Sequence, residues 1–114
     1  MDMAVEELAN GATKVVLRGR IDTTRAVLIE LPFHTAAAEK KALVVDLTSV
    51  DFLSSYALRV LLMGAKISKG KGGKLAIVCL DNNIAKVLRT TGASELIPVF
   101  PTEDAAVAAV TSSA

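Results

Sequence analysis

The run VVDLTSVDFLSSYALRVLL, from Val44 to Leu62, constrains this chain more than any other segment, because it carries an apolar strand into a serine pair that opens an amphipathic helix. Ala42 to Leu47 (ALVVDL) is nearly continuous in apolar residues, the pattern of a central strand covered on both faces. From Leu58 the period changes. Leu58, Leu61, Leu62 and Ala65 mark one face of a helix, with Arg59, Lys66 and Lys69 off that stripe, and Gly70 to Gly73 ends it. A helix start leaves backbone N–H groups unpaired and carries the positive end of the helix dipole, so it favours negative charge. A serine in that place serves as a cap, a nucleophile or a phosphorylation site, and the rest of the chain has to decide among them.

Lys14 to Ile21 (KVVLRGRI) reads as a strand, with Gly19 marking its end or a bulge, and residues 1–9 can supply a further edge strand. Asp22, Thr23 and Thr24 offer a cap to a helix with apolar residues at Val27, Leu28 and Leu31. Pro32 removes a backbone donor there, which predicts either a kink or two short helices between Thr24 and Lys41. Lys74 to Leu80 reads as another buried strand, and Asp81 caps a helix with Ile84, Val87 and Leu88 on its inner face and Gly92 as its C-terminal cap. Leu96 to Phe100 is the last strand candidate. Thr102, with Glu103 and Asp104, opens an alanine-rich final helix whose tail is expected to fray.

Strands alternating with helices imply an α/β domain: a parallel or mixed sheet of four to five strands, crossed by about four helices. The 114 residues fit one domain spanning 1–114. A chain of this size buries roughly two thirds of its unfolded surface, enough for a core without disulfides or metal.

Composition removes several classes of function. Thirteen basic residues against twelve acidic ones leave a net charge of +1, and the basic residues are dispersed except around Lys66 to Lys74. Nucleic acid needs a concentrated patch, so none is expected as a partner. Aromatics are 4% of the chain and Trp is absent, which leaves little for base stacking or sugar binding. Cys79, alone inside Leu75 to Leu80, reads as a small buried hydrophobe. Met1 to Asn10 is acidic and lacks the apolar core of a secretory signal. Arg59, Lys66, Asp46 and Asp51 interrupt the most apolar windows well before the ~20 residues of a membrane span. The expected compartment is a reducing cytoplasm.

Open α/β sheets place function at the carboxyl ends of their strands, which selects the loops Gly19 to Arg25, Ser49 to Tyr56, Leu80 to Asn83 and Phe100 to Asp104. On composition alone, one serine of the second loop is an N-cap contributing about 1 kcal/mol, the other is surplus, and Tyr56 is a partly exposed surface residue. Serine catalysis needs a base within reach, yet the single histidine, His34, lies in another segment and no G-x-S-x-G surrounds the serines. GKGGK, from Gly70 to Lys74, lacks the spacing of a phosphate loop and reads as a turn. His34 with Glu39 has no further His or Cys at ligand spacing, and the pair Asp46 and Asp51 is weak evidence for catalysis. The expectation is a protein without catalytic residues, metal or cofactor.

Four features, in order, resemble the STAS domain, the fold shared by anti-sigma factor antagonists and the cytoplasmic tails of sulphate transporters. They are GRID at Gly19 to Asp22, VVDLTSVDFLSS at Val44 to Ser55, the helix ALRVLL, and KGGKLAIV running on to NNIAKVLRTTG, which ends at Gly92. In the bacterial anti-sigma factor antagonists the turn reads Asp or Ser, then Ser, a small residue, Gly and Leu. Carried across, Ser54 takes the first position, Ser55 that of the phosphorylated serine, Tyr56 the small residue, Ala57 the glycine and Leu58 the leucine.

The resemblance implies a partner-switching regulator with its docking surface at Asp22, Ser54, Ser55, Tyr56, Ala57 and Arg59. Unphosphorylated, it would bind an anti-sigma factor that is a serine kinase of the histidine-kinase-like ATPase type. Phosphorylation at Ser55 would switch it off, and a PP2C-type phosphatase would reset it. Two other readings stay open: a non-phosphorylated STAS adaptor holding a partner such as a transporter ATPase subunit, and a small-ligand or nucleotide-binding module at the same turn.

Overall fold

The β-branched and apolar runs form five strands in one sheet, described here over residues 3–112 of a computed structural model. The strands are β1 (Met3–Glu7), β2 (Thr13–Ile21), β3 (Ala42–Leu53), β4 (Lys74–Val78) and β5 (Val99–Phe100). They lie side by side in chain order, β1 antiparallel to β2 and the rest parallel. Parallel neighbours require crossovers, and the helices supply them: α1 (Thr23–Glu39), α2 (Ser55–Gly70), then α3 (Asn82–Thr90) with the single turn α4 (Ala93–Leu96). A last helix, α5 (Glu103–Thr111), follows β5. This is the expected α/β domain with a mixed sheet, with one helix more than expected because α4 is a separate turn. The edge strand anticipated within residues 1–9 is β1. The fraying expected of the C-terminal tail falls beyond Ser112, outside the described residues.

Alternation along the strands divides the core. Val15, Leu17, Leu43, Val45, Leu75 and Ile77 point to the face covered by α1 to α4, while Val44, Ala76 and Val78 meet Ala106, Val107 and Val110 of α5 on the other. Near-continuous apolar runs in β3 and β4 follow from this double cover. Cys79 is 6% exposed and packs in the larger core. Among the described residues no helix is long and apolar enough to cross a membrane.

Several elements depart from the sequence expectation. α1 runs unbroken through Pro32 rather than dividing into two helices. The carbonyl that Pro32 leaves without an N–H is that of Leu28, which lies on the solvent side with its side chain 65% exposed, so water can replace the lost donor. The inward face of α1 is Ala26, Ile29, Phe33, Ala36 and Ala37, while Val27, Leu28 and Leu31 face outward. β4 stops at Val78, leaving Leu80 exposed. The last strand is Val99–Phe100 alone, since Leu96 closes α4.

β3 extends six residues past Leu47 because it carries bulges. Val16 and Arg18 of β2 pair with Asp46 and Ser49, and Gly19 and Arg20 pair with Val50 and Phe52, so β3 gains an extra residue at each step. Asp46 Oδ1 accepts from the Thr48 N–H at 2.9 Å and its hydroxyl at 2.7 Å, taking up backbone polarity that the first bulge releases. Gly19 therefore marks a bulge and not the strand's end.

GKGGK is a turn. The Gly72 N–H donates to the Lys69 carbonyl and the Gly73 N–H to that of Ser68, the paired bonds of a Schellman cap, with Gly72 at φ 79°. Gly92, at φ 83°, ends α3 as expected, its N–H donating to the Arg89 carbonyl.

Candidate functional site: the paired helix starts

Extension of β2 to Ile21 and of β3 to Leu53 reduces the first two of the four candidate loops to one residue each, Asp22 and Ser54. Each of these residues is the N-cap of the helix that follows. Asp22 Oδ1 accepts from the Arg25 N–H at 2.9 Å, and Ser54 Oγ accepts from the Ala57 N–H at 3.1 Å. The Ser54 N–H in turn donates to the Ile21 carbonyl at 2.9 Å, which joins the two corners. Strand pairing thus sets the starts of α1 and α2 beside each other at the carboxyl edge of the sheet, where their positive dipole ends add.

The serine pair divides its work by geometry. Ser54 is 9% exposed and spends its hydroxyl on the cap. Ser55, the first residue of α2, is exposed, and among the described residues no hydrogen bond holds its hydroxyl. Ala57 is 2% exposed and contributes a backbone N–H from within. No non-glycine residue among those described has a positive φ, so Ala57 occupies its place in the turn without backbone strain. Asp22 is half-buried and Arg59 exposed.

Tyr56 turns away from Ser55 toward α1, where its hydroxyl donates to Glu30 Oε1. That bond holds the tyrosine proton, with partial burial and the Glu30 charge adding to the effect, so the Tyr56 hydroxyl ionises above its ordinary range. Around the two corners stand further cations. The Arg20 guanidinium lies 3.9 Å over the Phe52 ring, and Arg25 Nη1 donates to the Arg20 carbonyl at 3.1 Å. The chain positions of Glu30, Arg20 and Phe52 gave no hint of this grouping. Helix packing brings in Glu30, and the second bulge of β3 sets Phe52 opposite Arg20.

Among the described residues, no base is hydrogen-bonded to either serine. His34 Nε2 donates to the Val60 carbonyl at 3.0 Å, at the α1–α2 contact. Asp46 is engaged in the bulge, and Asp51 is exposed on β3. What the corner offers is an exposed hydroxyl over unpaired N–H groups, ringed by side chains that can meet another protein.

The comparisons with known proteins give the family of this fold. The STAS domain family matches residues 4–106, and the chain belongs to that family. A relative in Mycobacterium tuberculosis, the anti-sigma-F factor antagonist RsfA, is 29% identical over 103 residues, covering 88% of this chain and 80% of that one. The crystal structure of an anti-sigma factor antagonist from Mycobacterium paratuberculosis superposes with a TM-score of 0.86 at 29% identity, covering 96% and 93% of the two chains. The phosphorylated form of Bacillus SpoIIAA shares the fold, with a TM-score of 0.71 at 16% identity and coverage of 95% and 98%.

Proposed function

We propose that this protein is an anti-sigma factor antagonist that works by partner switching. Unphosphorylated, it binds an anti-sigma factor of the histidine-kinase-like ATPase type in the cytoplasm, and phosphorylation of Ser55 by that partner ends the binding. A PP2C-type phosphatase restores the competent form. The observation that carries the reading is the division of the serine pair: Ser54 supplies the cap, so the exposed Ser55 hydroxyl is available to a kinase. The relatives' naming as anti-sigma factor antagonists supports the choice of partner.

A phosphate adds about −1.5 to −2 charge, and at this helix start it meets N–H donors and a positive dipole end. The fold therefore tolerates it, and the change falls on the docking surface. Incubation with a purified anti-sigma factor of this type and ATP is expected to add one phosphate, read by intact mass, and to add none to Ser55→Ala. Ser55→Asp is expected to weaken binding in titration calorimetry. Absence of phosphate together with unchanged binding by Ser55→Asp rejects the switch.

A second reading draws on Tyr56. Fixed to Glu30, it sets a bulky ring across the turn toward α1, which suits a non-phosphorylated adaptor that holds a transporter ATPase subunit or another protein by shape. Binding of such a partner is expected to be indifferent to Ser55→Asp.

A further inference from the structure

Lys66 and Lys69 take no part in the corner, yet they lie on the same flank of α2 as Ser55 and Arg59. A groove of about 360 Å³ begins at Ser55, is floored by Leu58 and Leu62, and has Leu96 of α4 on its far side. It continues past Ala65 toward Lys69, again against Leu96. Leu96 is 69% exposed and Met63, at the groove's margin, is 41% exposed, so an apolar strip stays open to solvent. Arg59, Lys66 and Lys69 line the groove, all exposed and none ion-paired among the described residues, and no carboxylate lines it. In a chain of net charge +1 this is a local concentration of positive charge over an apolar floor.

We propose that this groove seats an acidic amphipathic helix of the anti-sigma factor. The inference rests on the partner-switching reading above and extends it from the serine corner along the length of α2. Three cations without a carboxylate call for an acidic face, and Leu58, Leu62 and Leu96 call for an apolar one. The sixteen residues of α2 span about 24 Å, room for about four turns of a partner helix. Nucleic acid would satisfy the cations and leave the leucines bare. A flat anionic membrane would reach Leu96 and miss the half-buried Leu62. The groove also gives the phosphate a lever. Ser55 heads it, one helical turn before Arg59, so a phosphate there pairs with Arg59 and opposes an acidic occupant.

The test measures binding of the full chain to the same purified anti-sigma factor, without ATP, by calorimetry across a salt series. Lys66→Glu/Lys69→Glu lies at least eleven positions from Ser55, and Leu96→Ser is a second, independently exposed change; thermal unfolding checks that each folds. Both variants are expected to bind about tenfold or more weakly, the first with a flatter salt dependence. Amide shifts of the labelled wild-type chain are expected at Leu62, Lys66 and Leu96. Unchanged binding by both variants, with shifts confined to the turn, overturns the groove and leaves partner switching standing. Failure of the wild-type chain to bind rejects partner switching, and the groove with it. Lysine-dependent binding to phosphatidylglycerol vesicles, with partner affinity unchanged, assigns the groove to a lipid surface and overturns the proposal.

Discussion

At the scale of single residues, the two serines differ because a capping hydroxyl must turn inward to the N–H three positions on, whereas the next residue is already helical and directs its own outward. Ser54→Ala is therefore expected to lower stability by about 1 kcal/mol, a fall of about 4 °C in melting temperature, and to leave the exposed Ser55 hydroxyl in place. Ser55→Ala is expected to stay within about 0.5 kcal/mol of the parent in urea unfolding. Equal costs for the two would refute this division. Tyr56 can be read directly, since it is the single tyrosine and there is no Trp. Because Glu30 raises its folded pKa above the ordinary value of 10.0, that bond stabilises the fold below this pH, and its contribution is lost as pH rises through the folded pKa. Ultraviolet titration is expected to show late ionisation, returned toward the ordinary value by Glu30→Gln. The serine corner was legible in the sequence as a cap beside a surplus hydroxyl. Glu30 was not, because it lies 26 positions from Tyr56 and only the packing of α1 on α2 joins them.

At the scale of elements, α1 and α2 approach closely because Gly64 has no side chain. A Cβ there would stand 2.4 Å from Phe33 Cε2, and Phe33 is fully buried. Gly64→Ala is expected to cost about 1–3 kcal/mol in chemical unfolding, despite alanine's better helix propensity, and Phe33→Leu in the same chain to restore part of it. A neutral or stabilising Gly64→Ala would show that the contact yields. Elements with one strong pattern, such as the apolar run of β3 and the stripe of α2, could be read from the sequence. Others could not, for identifiable reasons. The stripe of α1 is built largely from alanines, so the larger Val27, Leu28 and Leu31 draw attention to the wrong face. The length of β3 depends on bulges fixed by pairing with β2, which no local period encodes. Leu96 looks like strand and is helix because the αL conformation at Gly92 starts a new turn immediately.

At the scale of the whole molecule, the sheet separates two unequal cores, and the serine corner belongs to the larger. α5 covers the other face, through Ala106, Val107 and Val110 on Val44, Ala76 and Val78, with Ala12 and Leu8 at its margin. Its first turn is tied to β2 by Glu103, whose carboxylate lies 2.8 Å from Lys14 Nζ. The Glu103 hydrogen bond holds the Lys14 proton above its ordinary range, so the ammonium keeps its charge at neutral pH and the tie is lost as pH rises through the raised value. A small apolar contact, this partly exposed ion pair and the hydrogen bond from Lys74 Nζ to the Ser112 carbonyl at 2.8 Å hold α5. That is less burial than the larger core gives α1 and α2, so α5 is expected to open first. Hydrogen exchange near neutral pH is expected to show α5 amides exchanging before those of β3 and α2. Since partly exposed pairs contribute at most about 1 kcal/mol, Glu103→Gln is expected to speed α5 exchange by no more than about fivefold, and to leave β3 and α2 unchanged. The corner at Ser55 would then work on a core that opening of α5 does not reach. Simultaneous exchange of α5 and β3 in the parent chain would show instead that both faces open as one unit.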